Sequence, residues 1–190
     1  MLLLDSFMKG HNFMYNILSV VSYSGVGKTT LIEGIIKELN KKGYRVGVIK
    51  HTCHDFDIDE EGKDTYKHRK SGARKVCIIS DKRVAYIEEL KEKNPLYKMI
   101  QLYEDMDLII IEGYKNYRFK RLEVTRKGKY EDILSNKSDL IGIVSDIEYK
   151  LNIEQFNLND YKNISKYIES CIKNDILSIS DFEIKNILKE

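Results

Sequence analysis

The segment Ser22-Tyr-Ser-Gly25-Val-Gly27-Lys28-Thr29-Thr30 carries the residue types needed to hold a phosphate chain. Glycines at Gly25 and Gly27 let successive backbone N–H groups turn inward around anionic oxygens. A lysine directly after them reaches the outer phosphates of a nucleotide, and the Thr29 hydroxyl is placed to ligate Mg²⁺. Gly27, Lys28 and Thr29 match the end of the P-loop pattern G-x-x-x-x-G-K-[ST], whereas Ser22 stands where its first glycine belongs. Ser24, Gly25, Val26, Gly27, Lys28, Thr29 and Thr30 are therefore the expected nucleotide-binding residues. Such a site also needs a carboxylate near the metal. Glu112 closes the apolar run Leu108-Ile-Ile-Ile111, at the carboxyl end of an expected strand, where α/β sheets place ligands. Asp107 precedes the same run and is expected at the opposite edge. Glu112 is thus the expected catalytic carboxylate and, with Thr29, the expected metal ligand.

Phosphate binding at this loop requires a strand before it and a helix after it. Ile17–Val21 is short, apolar and β-branched, as a buried strand should be. From Thr29 to Lys42, Leu31, Ile32, Ile35, Ile36 and Leu39 recur on one helical stripe, and Gly43 stands where a C-cap glycine belongs. Arg45–Lys50 completes a strand–helix–strand unit, which implies a parallel sheet. A loop over 51–63, a helix over Asp64–Ser71 and two strands, Val76–Ile79 and Val84–Ile87, follow. Pro95 stands near the start of a helix running to about Tyr103, and further strands are expected at Arg121–Thr125 and Leu140–Ser145. Asn159 is the expected cap of a helix burying Ile164, Ile168 and Cys171. Ser180-Asp-Phe-Glu183 has the pattern of a capping box. The pattern is an α/β fold with a hairpin inserted after the second strand. Residues 1–13 read as a poorly ordered extension, 14–177 as the nucleotide-binding domain and 178–190 as a helical tail.

The chain has 190 residues, enough for one domain with a real core. Its formal net charge is only +2, from 32 Lys plus Arg against 30 Asp plus Glu. That balance offers no basic excess for nucleic acid. No apolar run approaches the roughly 20 residues that span a bilayer. Cys53, Cys77 and Cys171 are an odd, scattered set, which favours a reducing cytoplasm over a disulfide scaffold.

Ser22–Thr30, Val48-Ile-Lys50-His51, Phe56-Asp57-Ile-Asp59, Gly62-Lys63-Asp64-Thr65, Ser71-Gly72-Ala73 and Asp107–Tyr114 follow one another in a familiar order. Over about Ile17–Asp146 the chain resembles the molybdopterin-guanine dinucleotide biosynthesis protein B (MobB) family. The resemblance implies a P-loop NTPase fold, with a mostly parallel central sheet flanked by helices. It also implies GTP and Mg²⁺ as cofactors, slow GTP hydrolysis and a homodimer. The implied role is that of an accessory to the MobA-type molybdopterin guanylyltransferase, which joins GMP to the pterin.

The acidic loop after the second strand is expected to act like a switch segment, with Asp57 or Asp59 positioning the Mg²⁺ shell or the attacking water. Lys50 and Lys63 are candidates for an anionic partner such as the pterin phosphate. His51-Thr-Cys53-His54, with His68, fits no standard structural zinc spacing. Asn136-Lys137-Ser138-Asp139 spells a guanine-reading NKxD string, yet it precedes its strand, and so lies at the wrong edge of the sheet. Asp146, directly after that strand, is the better-placed guanine reader. Two other classes share the same phosphate site: a small-molecule kinase, which would favour an arginine-rich lid not evident here, and a non-hydrolysing adaptor that uses nucleotide as a switch. A metal-delivery GTPase would call for a richer His/Cys segment than HTCH.

Overall fold

The computed structural model describes residues 13–90 and 95–189. By its internal contacts the chain divides into two units: one holds the chain up to His51 and again from Tyr97 onward, the other Thr52–Leu96.

The first unit is built on a seven-stranded sheet in the order β2-β5-β1-β6-β7-β8, with β9 pairing β1. Its strands are β1 (Met14–Val21), β2 (Val46–Lys50), β5 (Leu108–Glu112), β6 (Arg121–Val124), β7 (Leu140–Val144), β8 (Glu154–Phe156) and β9 (Ser178–Ser180). Every pairing is parallel except β9 against β1. All five residues of β5 are buried, as expected of a strand covered on both faces. It inserts between β1 and β2, so the expected strand–helix–strand unit closes over a third strand that comes later in the chain. Helices α1 (Lys28–Asn40) and α4 (Tyr161–Lys173) flank the sheet. Leu31, Ile32, Ile35 and Leu39 of α1 join Ile164, Ile168 and Cys171 of α4 in the apolar core over Leu18, Val20, Ile110 and Leu122. Burying those stripes gives both helices a stability that their length alone would not supply. Gly43, at φ 85°, turns the chain out of α1, and its N–H is donated to the carbonyl of Asn40.

The second unit contains α2 (Asp64–Lys70) and the antiparallel hairpin of β3 (Lys75–Ser80) and β4 (Arg83–Glu88). Ile78, Ile79, Val84 and Tyr86 are exposed on this hairpin. The short α3 (Leu96–Gln101) follows, starting one residue after Pro95 and ending two residues sooner than expected, in successive turns through Tyr103.

Several expectations are corrected. Asp160, not Asn159, caps α4: its carboxylate accepts the N–H of Asn163, while Asn159 accepts the Tyr161 hydroxyl. The three-residue strands β8 and β9 were not foreseen, and the segment read as a helical tail begins with β9. Its register of Met14 against Ser180 and Asn16 against Ser178 packs it on β1 of the same chain. The capping box forms as expected at the head of α5 (Asp181–Ile187), with Ser180 and Glu183 satisfying each other's backbone N–H groups. The extension expected over 1–13 lies outside the described residues up to residue 12; β1 starts at Met14.

Candidate functional site

The loop Ser22–Gly27 runs from the carboxyl end of β1 into α1. Gly25 (φ 74°) and Gly27 (φ 123°) both occupy the left-handed region, where a side chain would be strained. A Cβ at either position would meet no other part of the fold within 4 Å. Val26 is fully buried between them and pins the loop to the core, leaving Ser24 and Gly25 exposed. The Gly27 carbonyl accepts the N–H of Leu31 at 3.0 Å and so starts the helix. Thr29 and Thr30 are exposed on its first turn. Backbone N–H groups at a helix start, next to a left-handed pair, are an anion-binding arrangement.

Lys28 lies back across this loop. Its ammonium donates to Ser22 Oγ (3.0 Å) and to the Tyr23 carbonyl (3.1 Å). Ser22, which departs from the glycine of the pattern, is buried, and its hydroxyl donates in turn to the Tyr23 carbonyl at 2.6 Å. Burial pushes the Lys28 ammonium below its ordinary pKa, opposed by the nearby Glu112 carboxylate and reinforced by Lys115 and Lys50. Additional negative charge placed among these cations would relieve that cost.

Glu112 ends β5 beside Val20 of β1 and Lys50 of β2. It is buried, with the Lys50 ammonium 3.9 Å from Oε1. Beyond it the backbone is left-handed at Gly113 (φ 98°) and at Tyr114 (φ 50°). A Cβ on Gly113 would lie 3.3 Å from the His51 carbonyl oxygen, so the close approach of the two chain segments favours glycine here. The His51 ring packs on Tyr114 at 4.1 Å. Asp107, at the other end of β5, is held by Arg45 through its backbone N–H (2.7 Å) and guanidinium (2.9 Å); those bonds keep its carboxyl below the usual range. The two carboxylates flank the strand as expected, and only Glu112 shares an edge with the loop.

The other expected residues lie as follows. Asp146 follows β7 and is exposed, with Oδ1 accepting the Lys127 N–H at 2.7 Å. Asp139 precedes β7, is buried, and faces Ser138 Oγ (3.1 Å) and Arg118 (3.6 Å). In the second unit, Asp57 accepts from Arg69 (2.5 Å) and from the Asp59 N–H, while Asp59 accepts the Thr65 hydroxyl at 2.7 Å. Arg69 also reaches Glu89 at 3.0 Å. The bond to Arg69 holds Asp57 below the ordinary carboxylate range. Among the described residues no group of three or more His, Cys, Asp or Glu side chains is placed to hold a metal ion. No described helix is long and apolar enough to cross a membrane.

Several participants were not legible in the sequence. Tyr130 stacks on Tyr23 of the loop at 4.1 Å, Lys115 stands 4.8 Å over the same ring, and Lys129 donates to the Gly25 carbonyl at 3.1 Å. Arg121, buried in β6, donates to the carbonyls of Lys115, Tyr117 and Phe119 and so fixes the turn that follows Glu112.

The model of the family "Molybdopterin guanine dinucleotide synthesis protein B" matches residues 17–146, which contain the loop, Glu112 and Asp146. The chain belongs to this family. It is 32% identical over 162 residues to the molybdopterin-guanine dinucleotide biosynthesis adapter protein of Escherichia coli, covering 82% of this chain and 92% of that protein. It is 28% identical over 163 residues to the adapter protein of the same name from Haemophilus influenzae, covering 83% and 92%. The fold matches a crystal structure of molybdopterin-guanine biosynthesis protein B with a TM-score of 0.64 and 27% identity, over 83% of this chain and 99% of the other. It also matches the crystal structure of Bacillus subtilis MobB, with a TM-score of 0.65 and 22% identity, over 82% and 97%. The mostly parallel sheet flanked by helices is thus the family's architecture, and membership assigns the chain a part in molybdopterin guanine dinucleotide synthesis.

Proposed function

We propose that this family member is an adapter that binds GTP with Mg²⁺ at the β1–α1 loop and hydrolyses it slowly. The carrying observation is the half-buried Lys28 ammonium, held by Ser22 Oγ and the Tyr23 carbonyl beside a loop with two left-handed glycines. The loop's donor chemistry suits a triphosphate: Ser24, Gly25, Val26 and Gly27 supply backbone N–H groups, Lys28 supplies charge, and Thr30 extends the first turn. Thr29 and Glu112 would hold the Mg²⁺, whose contribution is to neutralise charge on the phosphates. Asp57 and Asp59 are proposed for the same shell or for the attacking water, and Asp146 for the guanine edge. The partner in this reading is a MobA-type guanylyltransferase carrying the pterin. Exposed Ile79, Val84 and Tyr86, on one face of the hairpin, offer an apolar face for a second copy of the chain.

Calorimetric titration of GTP, GDP and ATP with Mg²⁺ into wild type and Lys28→Ala tests this. GTP binding preferred over ATP and abolished by the substitution is the expected result. Binding of ATP alone, or binding indifferent to Lys28, would overturn it and favour a kinase. Following GTP cleavage with protein in excess separates slow hydrolysis from a non-hydrolysing adaptor, and an Asp57→Ala, Asp59→Ala variant with unchanged Mg²⁺-dependent turnover would remove those two residues from the site.

A further inference from the structure

The turn Arg126–Tyr130 carries a lysine onto the β1–α1 loop. Arg126 and Tyr130 exchange backbone hydrogen bonds at 2.9 and 3.1 Å, the Lys129 N–H is donated to the Arg126 carbonyl, and Gly128 takes a left-handed φ of 72°. Side chains fix the turn from below. Asp146 accepts the Lys127 N–H, Glu131 accepts the Gly128 N–H at 2.8 Å, and the Tyr149 hydroxyl donates to the Glu131 carbonyl at 2.6 Å. Tyr130, which closes the turn, stacks on Tyr23 with the rings nearly parallel, 14° apart with centroids 4.1 Å from each other. This preformed arm leaves the Lys129 ammonium on the Gly25 carbonyl at 3.1 Å.

The loop therefore has two ammonium groups resting on its carbonyls: Lys28 on Tyr23 and Lys129 on Gly25. A neutral carbonyl is a weaker partner for an ammonium than an anionic oxygen. Lys129 carries its charge on a flexible four-carbon stem with three donors, so it can exchange that carbonyl for a phosphate oxygen while the stacked tyrosines keep the arm in place. Lys115, also over the Tyr23 ring and felt by Lys28, adds to the positive field. Electrostatic stabilisation of a phosphate chain by a cation supplied in cis is a recurring device of phosphoryl-transfer sites.

We infer that Lys129 is a second phosphate-binding cation, delivered in cis by the Arg126–Tyr130 turn onto the phosphate chain of a nucleoside triphosphate. The inference rests on the nucleotide reading of the loop. The test is calorimetric titration of GTP with Mg²⁺ into the full chain, as wild type, Lys129→Ala, Lys129→Arg, Lys129→Gln and Lys28→Ala. Lys129→Ala should weaken binding about fivefold, the scale of one partly exposed ion pair, with a loss that shrinks as salt is raised. Arginine should restore affinity. Glutamine can keep a hydrogen bond to the Gly25 carbonyl but not the charge, and should bind as weakly as alanine. Lys28-dependent binding unaffected by Lys129→Ala, or restored by glutamine, would overturn the inference and leave the nucleotide reading standing. Absence of Lys28-dependent binding in wild type would overturn both.

Discussion

Ser22 breaks the sequence pattern of the phosphate loop, yet the structure gives it a specific task that can be measured. Its buried hydroxyl accepts from the Lys28 ammonium at 3.0 Å and donates to the Tyr23 carbonyl, the second acceptor of the same lysine. Two of the three ammonium donors are thus fixed within the loop. A hydrogen bond to a charged group contributes about 1.5–3 kcal/mol when well desolvated. Lys28 is only half-buried, so water replaces part of a lost acceptor, and about 1 kcal/mol is the reasonable coupling between the two side chains. The experiment is a double-mutant cycle in urea with Ser22→Ala, Lys28→Met and the double variant. Ser22→Ala should destabilise by about 1 kcal/mol with Lys28 present and by much less once Lys28 is methionine. A coupling within the roughly 0.3–0.5 kcal/mol scatter of independent sites would refute the claim that Ser22 holds the lysine.

Packing beneath the loop gives a second prediction. A Cβ on Gly34 of α1 would lie 2.6 Å from Tyr161 Cε1, on the ring itself rather than at the tip of a flexible chain. Overpacking of about 1–3 kcal/mol then outweighs the roughly 1 kcal/mol that alanine gains in a helix, so Gly34→Ala should lower the urea midpoint; in a Tyr161→Ala background the same change should raise it. The third concerns acid. Glu169, paired with Lys42 (2.6 Å) and Lys173 (2.7 Å), has its pKa drawn down by those bonds from the ordinary 4.5 to about 2. A carboxyl depressed by folding stabilises above its unfolded pKa and loses that contribution as pH falls through the folded one. The urea-midpoint advantage of wild type over Glu169→Gln should therefore be full at pH 6 and fade below about 4.5 towards 2; a constant difference would refute it.

What was legible in the sequence depended on how local its cause is. The stripe of Leu31, Ile32, Ile35 and Leu39, the run Leu108–Ile111 and the Ser180–Glu183 capping box each state their structure within a few residues, and each is where it was expected. Strands β8 and β9 were not, because three residues carry no readable period; their extended form is imposed by β7 and β1. Glu123 and Arg121 look like surface residues of an amphipathic strand, but both are buried. Glu123 accepts the N–H groups of Leu134 and Ser135, and Arg121 serves the turn after Glu112. Those partners lie on loops with no repeating pattern. The candidate site divides the same way: the β1–α1 loop was visible as a string, whereas Lys129 reaches Gly25 across 104 positions of chain.

Asp146 touches both parts of the candidate site: the end of β7 and the turn that holds Lys129. Sequence position nominates it to read the base, since it follows β7 at the loop's edge of the sheet. In the structure its Oδ1 accepts the Lys127 N–H, at the foot of the turn that carries Lys129 and Tyr130 to the β1–α1 loop. One oxygen already spent on the turn leaves the other for a ligand. A base that drew the whole carboxylate toward itself would loosen the Lys127 bond and with it the seat of Lys129. If Asp146 reads the base, base recognition and phosphate charge are linked through one side chain, and removing that side chain would release the turn as well as the base contact. An Asp146→Asn exchange separates the two, because an amide oxygen still accepts the Lys127 N–H while the charge that would face the guanine N–H groups is gone. Loss of GTP-over-ATP preference with the overall phosphate affinity retained is the expected pattern. An unchanged GTP-over-ATP preference would place Asp146 in the turn alone.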